Sequence, residues 1–459
     1  MFFKQFKVEG LGCFSYMIGC PLSGQAYVID PKRDIADYLA AAEENGLAIT
    51  GIIDTHVHAD HITGSQELRA ATGADIYMEY AAGVAYEHKS LRDGDRIEIG
   101  KAVIDVLATP GHTPNAITLA VTDRSRGETP ELLLTGDLLF VGSIGRPDLA
   151  GGELLDEQIK NLYASLYEKL GAFPDLVEIY PAHGEGSLCG SGLSAKPSST
   201  LGFERKHNPY LNFPFEDFKA ALSTGLPVRP KNFSHIIAQN KQGPRLVSTL
   251  VRPGRLTAAE LKQKIAAGCT VIDIREAPSF GGAHVPGSIN VGFSPQSPTW
   301  LGMVVDPTLN IALVAASAAE AEQAIVAFRR AGYDDICGYH VGVGDWINCG
   351  EEMGFLPQLS IHGLRRVLDK YKNHVVLDVR RDDEWQAGHI SEAVHVSLQR
   401  LIEHGVELEL QQHISIICGS GYRSNIAASV LKSRGFEHVY SVIGGMAAWK
   451  KIYFIDHTL

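Results

Sequence analysis

Positive charge is in short supply: 41 Lys and Arg face 53 Asp and Glu in a chain of 459 residues, a formal net charge of −12. A nucleic-acid binder would carry a basic domain or stripe, so that class is set aside. Long apolar runs are also missing, and none approaches the ~18 residues a membrane span needs. The opening Met1-Phe2-Phe3-Lys4 lacks the basic region, apolar stretch and small-residue cleavage site of a secretory signal. Cysteine is scarce: seven residues, an odd number without a short-range framework, which excludes a disulfide-stapled secreted knot and fits reduced thiols in a cytosol. The expectation is a cytoplasmic protein with neither nucleic-acid nor membrane partners. What is present is an ordinary globular balance, 45% hydrophobic and 20% charged, unlike collagen or a disordered tail. The length suits two to four domains at roughly 100–200 residues each.

Over residues 1–245, rich in Gly and His, β-type runs alternate with helical stretches. Strands are predicted at 26–30, 49–55, 102–108, 117–121, 132–135 and 176–180, and a helix at 35–44. Metal-capable side chains stand just past the ends of four of these strands, where loops converge on a rigid sheet. Asn240-Lys241-Gln242-Gly243-Pro244-Arg245 and Arg252-Pro253-Gly254-Arg255 combine turn formers with positive charge and read as linker. Beyond it the chain repeats itself. Val271-Ile272-Asp273-Ile274-Arg275 resembles Val376-Leu377-Asp378-Val379-Arg380, and His284 resembles His389, each 105 positions on. Gly332-Tyr333 and Trp346 resemble Gly435-Phe436 and Trp449 at 103 positions. A unit of about 100 residues is too long for a solenoid repeat, so tandem α/β domains are expected at 255–356 and 358–459, three domains in all.

His56-Val57-His58-Ala59-Asp60-His61 follows the strand at 49–55 and puts three imidazoles and a carboxylate on one turn. Gly111-His112, Gly136-Asp137 and Ala182-His183 each follow a β-run of their own. His88, His207, His404 and His438 are read as ordinary surface or core residues, but scattered histidines do not keep landing at strand ends.

This pattern resembles the metallo-β-lactamase superfamily over nearly all of the first domain. The resemblance implies an αββα sandwich with metal at one edge and leaves the reaction open. Similarity to glyoxalase II would imply two zinc ions per chain, one on His56, His58 and His112, the other on Asp60, His61 and His183, with Asp137 bridging and a metal hydroxide as nucleophile. Similarity to the persulfide dioxygenases implies instead one Fe(II) per chain on His56, His112 and Asp137, with positions open for sulfur and O₂. His58, Asp60, His61 and His183 would then orient the ligands and shuttle protons. The stretch from Thr135 to Asp148 resembles the dioxygenase pattern, Gly136-Asp137 followed nine residues on by Gly145-Arg146-Pro147-Asp148, and favours the second reading. Ser199-Thr200-Leu201-Gly202-Phe203-Glu204-Arg205 is a weaker match of the same kind. Arg146 is expected near the metal as an anion clamp or a structural brace; the alternative is a surface Arg paired with Asp148. Cys189, on a Gly-rich loop six residues after His183, is a candidate to approach the metal or a bound persulfide; the alternative is a buried, inert thiol. Cys13 and Cys20 are read as packing residues.

A second chemical signal lies at Cys418-Gly419-Ser420-Gly421-Tyr422-Arg423-Ser424, between a short buried strand at 414–417 and a helical pattern at 425–433. Backbone N–H groups, a helix N-terminus and Arg423 around a thiol favour the thiolate and an anion carried on it. Arg423 is five positions after Cys418, one residue fewer than in the Cys-x₅-Arg phosphatase loop. Together with Leu377-Asp378-Val379-Arg380, Glu384, Gly388-His389-Ile390 and Gly444-Gly445-Met446-Ala447-Ala448-Trp449, the loop resembles rhodanese, the sulfurtransferase family. That resemblance implies a cradle of Gly419, Ser420, Gly421, Tyr422 and Ser424 around a persulfide on Cys418. In the first repeat the aligned positions are Ala315 and Glu320, so this copy is expected to be inactive, with Cys269, Cys337 and Cys349 structural.

The whole resembles a persulfide dioxygenase fused to a degenerate and an active rhodanese domain. It implies oxidation of a low-molecular-weight thiol persulfide (glutathione- or coenzyme-A-like) by O₂ to sulfite, and sulfane-sulfur transfer through Cys418 to give thiosulfate, a sulfide-detoxifying pair. The alternatives are a binuclear zinc thioester hydrolase and a sulfur-relay carrier whose first domain only docks. A homo-oligomer is expected from the same resemblance.

Overall fold

A computed structural model of the chain describes residues 1–8, 10–223 and 229–453; the last six residues of the expected third domain lie outside the described ones. Two compact units divide it, Met1–Leu250 with Phe328–Gly332, and Val251–Ala327 with Tyr333–Leu459.

In the first unit the strands Phe2–Val8, Cys13–Cys20, Gln25–Ile29, Ala48–Ile53, Asp75–Glu79 and Lys89–Leu91 form one sheet in that order. The first three are antiparallel and the rest run parallel. A second sheet is ordered Ser199–Thr200, Glu178–Pro181, Leu132–Gly136, Ile117–Asp123, Ala102–Ala108, Arg96–Ile99. Successive side chains of a strand face opposite ways, and this sorts the apolar runs into layers. Ile29 and Ile53 of the first sheet meet Ile104, Leu119 and Leu134 of the second in a shared core. Their neighbours Val28 and Ile52 face outward and pack on Tyr38 and Ala41 of the helix Ala36–Glu44 and on Leu68 of the helix Ser65–Thr72. Leu133 does the same on the far side, against Ile159, Leu162 and Phe218. The layers are helix, sheet, sheet, helix: the expected αββα sandwich.

Two sequence expectations are corrected. The strand expected at 49–55 ends at Ile53. The Asp54 N–H still reaches the Tyr77 carbonyl of the next strand, but Thr55 turns its N–H and hydroxyl to Asp30 while the Asp54 carboxylate accepts from the Thr63 and Ser65 hydroxyls. The linker expected at 240–245 starts only at Gly243, since the helix Asn232–Gln242 runs through Asn240. That helix buries Phe233, Ile236 and Asn240, the i, i+3, i+7 spacing of one face.

The second unit holds two parallel sheets. The first is ordered Ile289–Asn290, Thr270–Asp273, Ile311–Ala315, Ile336–Val341. The second is ordered Ala393–His395, Val375–Asp378, Ile414–Ile417, Val439–Val442, with Gln358–Leu359 added at the edge. The repeat is carried down to single bonds. Arg275 clasps Asp273 and donates to the Ala283 carbonyl, and Arg380 clasps Asp378 and donates to the Gly388 carbonyl. His284 stacks on Phe280, as His389 stacks on Trp385.

Candidate metal centre and thiol loop

Four strand ends of the first unit deliver the metal-capable residues. Ala48–Ile53 leads to His56, Ala102–Ala108 to His112, Leu132–Gly136 to Asp137, and Glu178–Pro181 to His183. All four side chains are buried. The His112 Nδ1–H donates to the Arg146 carbonyl oxygen at 2.8 Å. A carbonyl can only accept, so in the neutral imidazole the proton sits on Nδ1 and the Nε2 lone pair is left free. His56 is turned the same way, its Nδ1 3.1 Å from Thr55 Oγ1 while that hydroxyl donates to Asp30 Oδ2. The two Nε2 atoms face Asp137 Oδ2 at 3.7 Å from His56 and 3.2 Å from His112. None of these three buried atoms has a hydrogen-bond partner among the described residues. Three converging lone pairs without a proton between them are unfavourable in a buried site unless a cation sits among them. Burial also pushes the His56 imidazole down to about 3, so it stays neutral and able to ligate.

The neighbouring cluster is built differently. His183 donates from Nδ1 to Asp137 Oδ1 at 2.6 Å and from Nε2 to Asp60 Oδ2 at 2.8 Å. His61 Nδ1 lies 3.1 Å from Asp60 Oδ1, and the Cys13 thiol donates to Asp60 Oδ2 at 3.2 Å. Burial opposes a charge on His183, yet Asp137, Cys189 and Asp60 around it raise its pKa well above the usual imidazole value. In this cluster the groups satisfy one another as donors and acceptors. Cys13, expected to be a packing residue, is thus part of a polar cluster, and no signal in the sequence around it announces that.

Supports for the His56–His61 turn were not anticipated. Asp30 accepts Thr55 N–H at 2.7 Å and Thr55 Oγ1–H at 2.8 Å, with His58 Nε2 at 3.0 Å. Asp30 is the one described non-glycine residue with positive φ, 52°, a strained setting of the kind found at functional sites. Its position at the end of the strand Gln25–Ile29 is the clue the sequence offered. Asn240, from the misread linker, donates to the His58 and His61 carbonyls, both at 2.9 Å, and accepts Thr63 N–H at 3.1 Å. Gly145 is fixed by proximity, for a Cβ there would lie 1.9 Å from the Asp137 carbonyl oxygen and 3.0 Å from His112 Nδ1.

Arg146 makes the Asp148 pair of the alternative reading, but buried and not at the surface. Its buried guanidinium clasps Asp148 at 2.6 and 2.7 Å and donates to the Leu188 carbonyl. Cys189 is brought beside Asp137 and His183, its sulfur within 4.8 Å of their ligand atoms, and burial pushes its thiol pKa up.

In the second unit Cys418 follows the strand Ile414–Ile417 and Gly421 caps the helix Tyr422–Ser433. The Gly421 N–H donates to Cys418 Sγ at 3.2 Å, and Ser424 Oγ lies 3.7 Å from the same sulfur. Ser420 is exposed and Gly419 half-buried. Arg423 does not stand free in the loop: it clasps Glu384 at 2.6 and 2.7 Å. Tyr422 donates to the Gly292 carbonyl at 2.6 Å, a contact from the first repeat. In that repeat the equivalent loop holds its own carboxylate, Glu320 accepting the Ala316 N–H at 2.6 Å.

Comparison with known proteins agrees with this fold. The Metallo-beta-lactamase superfamily matches residues 8–183, and the Rhodanese-like domain matches residues 257–349 and 361–452. The human protein named "Persulfide dioxygenase ETHE1, mitochondrial" is 34% identical over 236 residues, 50% of this chain and 85% of that protein. A hydroxyacylglutathione hydrolase of Polaromonas sp. (strain JS666 / ATCC BAA-500) is 38% identical over 173 residues, 37% of this chain and 61% of its own length. A crystal structure described as a metallo-beta-lactamase from Staphylococcus aureus subsp. aureus COL superposes with a TM-score of 0.67 at 32% identity, covering 74% of this chain and 98% of that one. The chain therefore belongs to the metallo-β-lactamase superfamily, with persulfide dioxygenase homologues for its first half and two rhodanese-like domains behind it.

Proposed function

We propose that this protein is a persulfide dioxygenase and sulfurtransferase. In this reading His56, His112 and Asp137 hold one Fe(II). When bound, the iron supplies open coordination positions for a substrate sulfur and for O₂. The overall step is RSSH + O₂ + H₂O → RSH + SO₃²⁻ + 2 H⁺, in which the outer sulfur loses four electrons and O₂ gains them. Arg146 and Thr55 fix the ligand tautomers through the contacts described above. His183, held between Asp137 and Asp60, keeps a proton beside the ligand carboxylate. In the second reaction the Cys418 thiolate attacks the outer sulfur of a persulfide, releasing RSH and leaving Cys418–S–S⁻. Sulfite then takes that sulfur as thiosulfate and returns the thiolate. Gly421 N–H and Ser424 face the sulfur during the transfer.

The carrying observation is the contrast between the two clusters: His56 Nε2, His112 Nε2 and Asp137 Oδ2 have no hydrogen-bond partner among the described residues, whereas Asp60, His61 and His183 are engaged with one another and with Asp137. That contrast supports one metal ion on His56, His112 and Asp137; His58 Nδ1 is unpartnered as well, but its other nitrogen is held by Asp30 and it does not join those three atoms in one group. The 38% identity to a hydroxyacylglutathione hydrolase favours the second reading, a binuclear zinc thioester hydrolase. O₂ consumption with glutathione persulfide, on anaerobically iron-loaded protein with metal quantified in the same sample, separates the two. Oxygen uptake matched by sulfite at one iron per chain is expected; two zinc ions per chain with thioester turnover and no oxygen uptake overturns the proposal.

A further inference from the structure

The first rhodanese-like domain lacks a thiol in its loop but carries three elsewhere, two of them side by side. Cys269 immediately precedes the strand Thr270–Asp273, and Cys337 lies in Ile336–Val341; the strand Ile311–Ala315 pairs with both. Ile311 pairs with Ile336 and Ala312 with Gly338, so Cys337 is the extra residue of a bulge, a feature that re-aims a side chain. The two Sγ atoms are 2.6 Å apart with both cysteines unlinked, a small displacement from the ~2.05 Å of a covalent S–S bond. Both sit at the amino-terminal edge of the parallel sheet, opposite the edge where Ala315 leads into the degenerate loop, so they are no remnant of the Cys418-type cradle. Moving 105 and 103 positions along, the second repeat has His374 and Tyr440 at these places. The fold itself does not require the pair.

We propose that Cys269 and Cys337 form a dithiol site that reduces a sulfane sulfur, taking a low-molecular-weight thiol persulfide and closing to a disulfide with release of sulfide. Cys337 is the half-buried member and Cys269 the buried one, which makes Cys337 the attacking thiol and Cys269 the resolving one. The Cys337 S–H donates to the Ile311 carbonyl at 3.2 Å; once that proton leaves, the sulfur accepts from the Cys269 S–H, which together with the Lys264 ammonium lowers the Cys337 thiol to about 7. The Cys337 thiolate attacks the outer sulfur of RSSH; the S–S bond of RSSH breaks and RSH departs, leaving Cys337–S–SH. Cys269 then attacks the inner sulfur, its proton leaving with the outer one as H₂S. The sum is two thiols + RSSH → disulfide + RSH + H₂S, the thiols supplying the two electrons that reduce the outer sulfur. Neither the metal centre nor Cys418 takes part; only the choice of a thiol persulfide as substrate rests on the function proposed above, and the anaerobic linkage test reads Cys269 and Cys337 without either of those sites.

The test uses the full chain carrying Cys418→Ala, reduced, desalted and exposed anaerobically to glutathione persulfide, then alkylated and mapped by mass spectrometry. The peptides holding Cys269 and Cys337 are expected to become linked, with about one sulfide released per chain beyond a protein-free control. Adding Cys269→Ser removes the resolving thiol, and one extra sulfur atom is expected to stay on Cys337. Full alkylation of both cysteines after persulfide treatment overturns the proposal, and that measurement needs no variant at either site. A link formed equally without persulfide, and with no sulfide released, overturns it as well.

Discussion

At the scale of single residues, the candidate metal centre depends on side chains that would not themselves touch a metal. Asn240 is buried with its donors spent on the carbonyls of His58 and His61. Asn240→Ala leaves those carbonyls and the Thr63 N–H without this partner, and each buried unsatisfied group costs about 1–3 kcal/mol. Urea unfolding is expected to show a loss in that range or above. Second-layer contacts typically change metal affinity by roughly ten- to a hundredfold, and a chelator competition on the same variant reads that effect. Glu384 gives a pH prediction. Burial alone would raise its pKa, but the bond and charge of Arg423 outweigh burial and lower it. A carboxylate depressed in the folded state stabilises the fold above its unfolded pKa of about 4.3, and that share is lost as pH falls through the folded value. Denaturant midpoints of the native chain are therefore expected to drop below about pH 4 more steeply than those of Glu384→Gln, whose side chain cannot titrate.

At the scale of elements, the two repeats share strand order, the Asp–Arg clasp and the stacked histidine, and differ in one loop. That difference is conformational as well as chemical. Gly421 caps its helix at φ 113°, ψ −15°, and the first repeat has Ala318 in its place. An L side chain at that backbone setting is strained. Ala315→Cys with Glu320→Arg supplies the thiol and the cation without the glycine, so this double variant is expected not to regain sulfur transfer. The readout is sulfane-sulfur labelling in a chain carrying Cys418→Ala; labelling of the new cysteine at the native rate would show that chemistry alone separates the copies. The first repeat also has a structural task, because Asn290 pairs with Asn425 at 2.5 Å and its backbone N–H is bonded to Ser429. Both partners lie on the helix that follows Cys418. The fold of each repeat was legible because buried parallel strands read as short apolar runs. The short helix ends were not, because one-turn boundaries depend on caps such as Gly421 more than on periodicity.

At the scale of the whole molecule, the two proposed chemistries fall in separate compact units. Removing the metal by chelation, or replacing His112 with Ala, is expected to abolish oxygen-dependent sulfite formation while sulfur transfer through Cys418 continues. Loss of both activities together would show that the thiol loop depends on the metal centre. The sequence by itself carried the repeat and the placing of His and Asp residues at strand ends, since these are local patterns, and the sandwich followed from the family resemblance that those motifs bear. Only the tertiary structure decided which lone pairs remain free, that Cys13 joins Asp60 and His61, that Asn240 grips the histidine turn, and that Cys269 meets Cys337. Each of these joins residues dozens to nearly two hundred positions apart through single hydrogen bonds or thiol contacts. Such contacts are set by sheet register and bulges, and they leave no periodic trace along the chain.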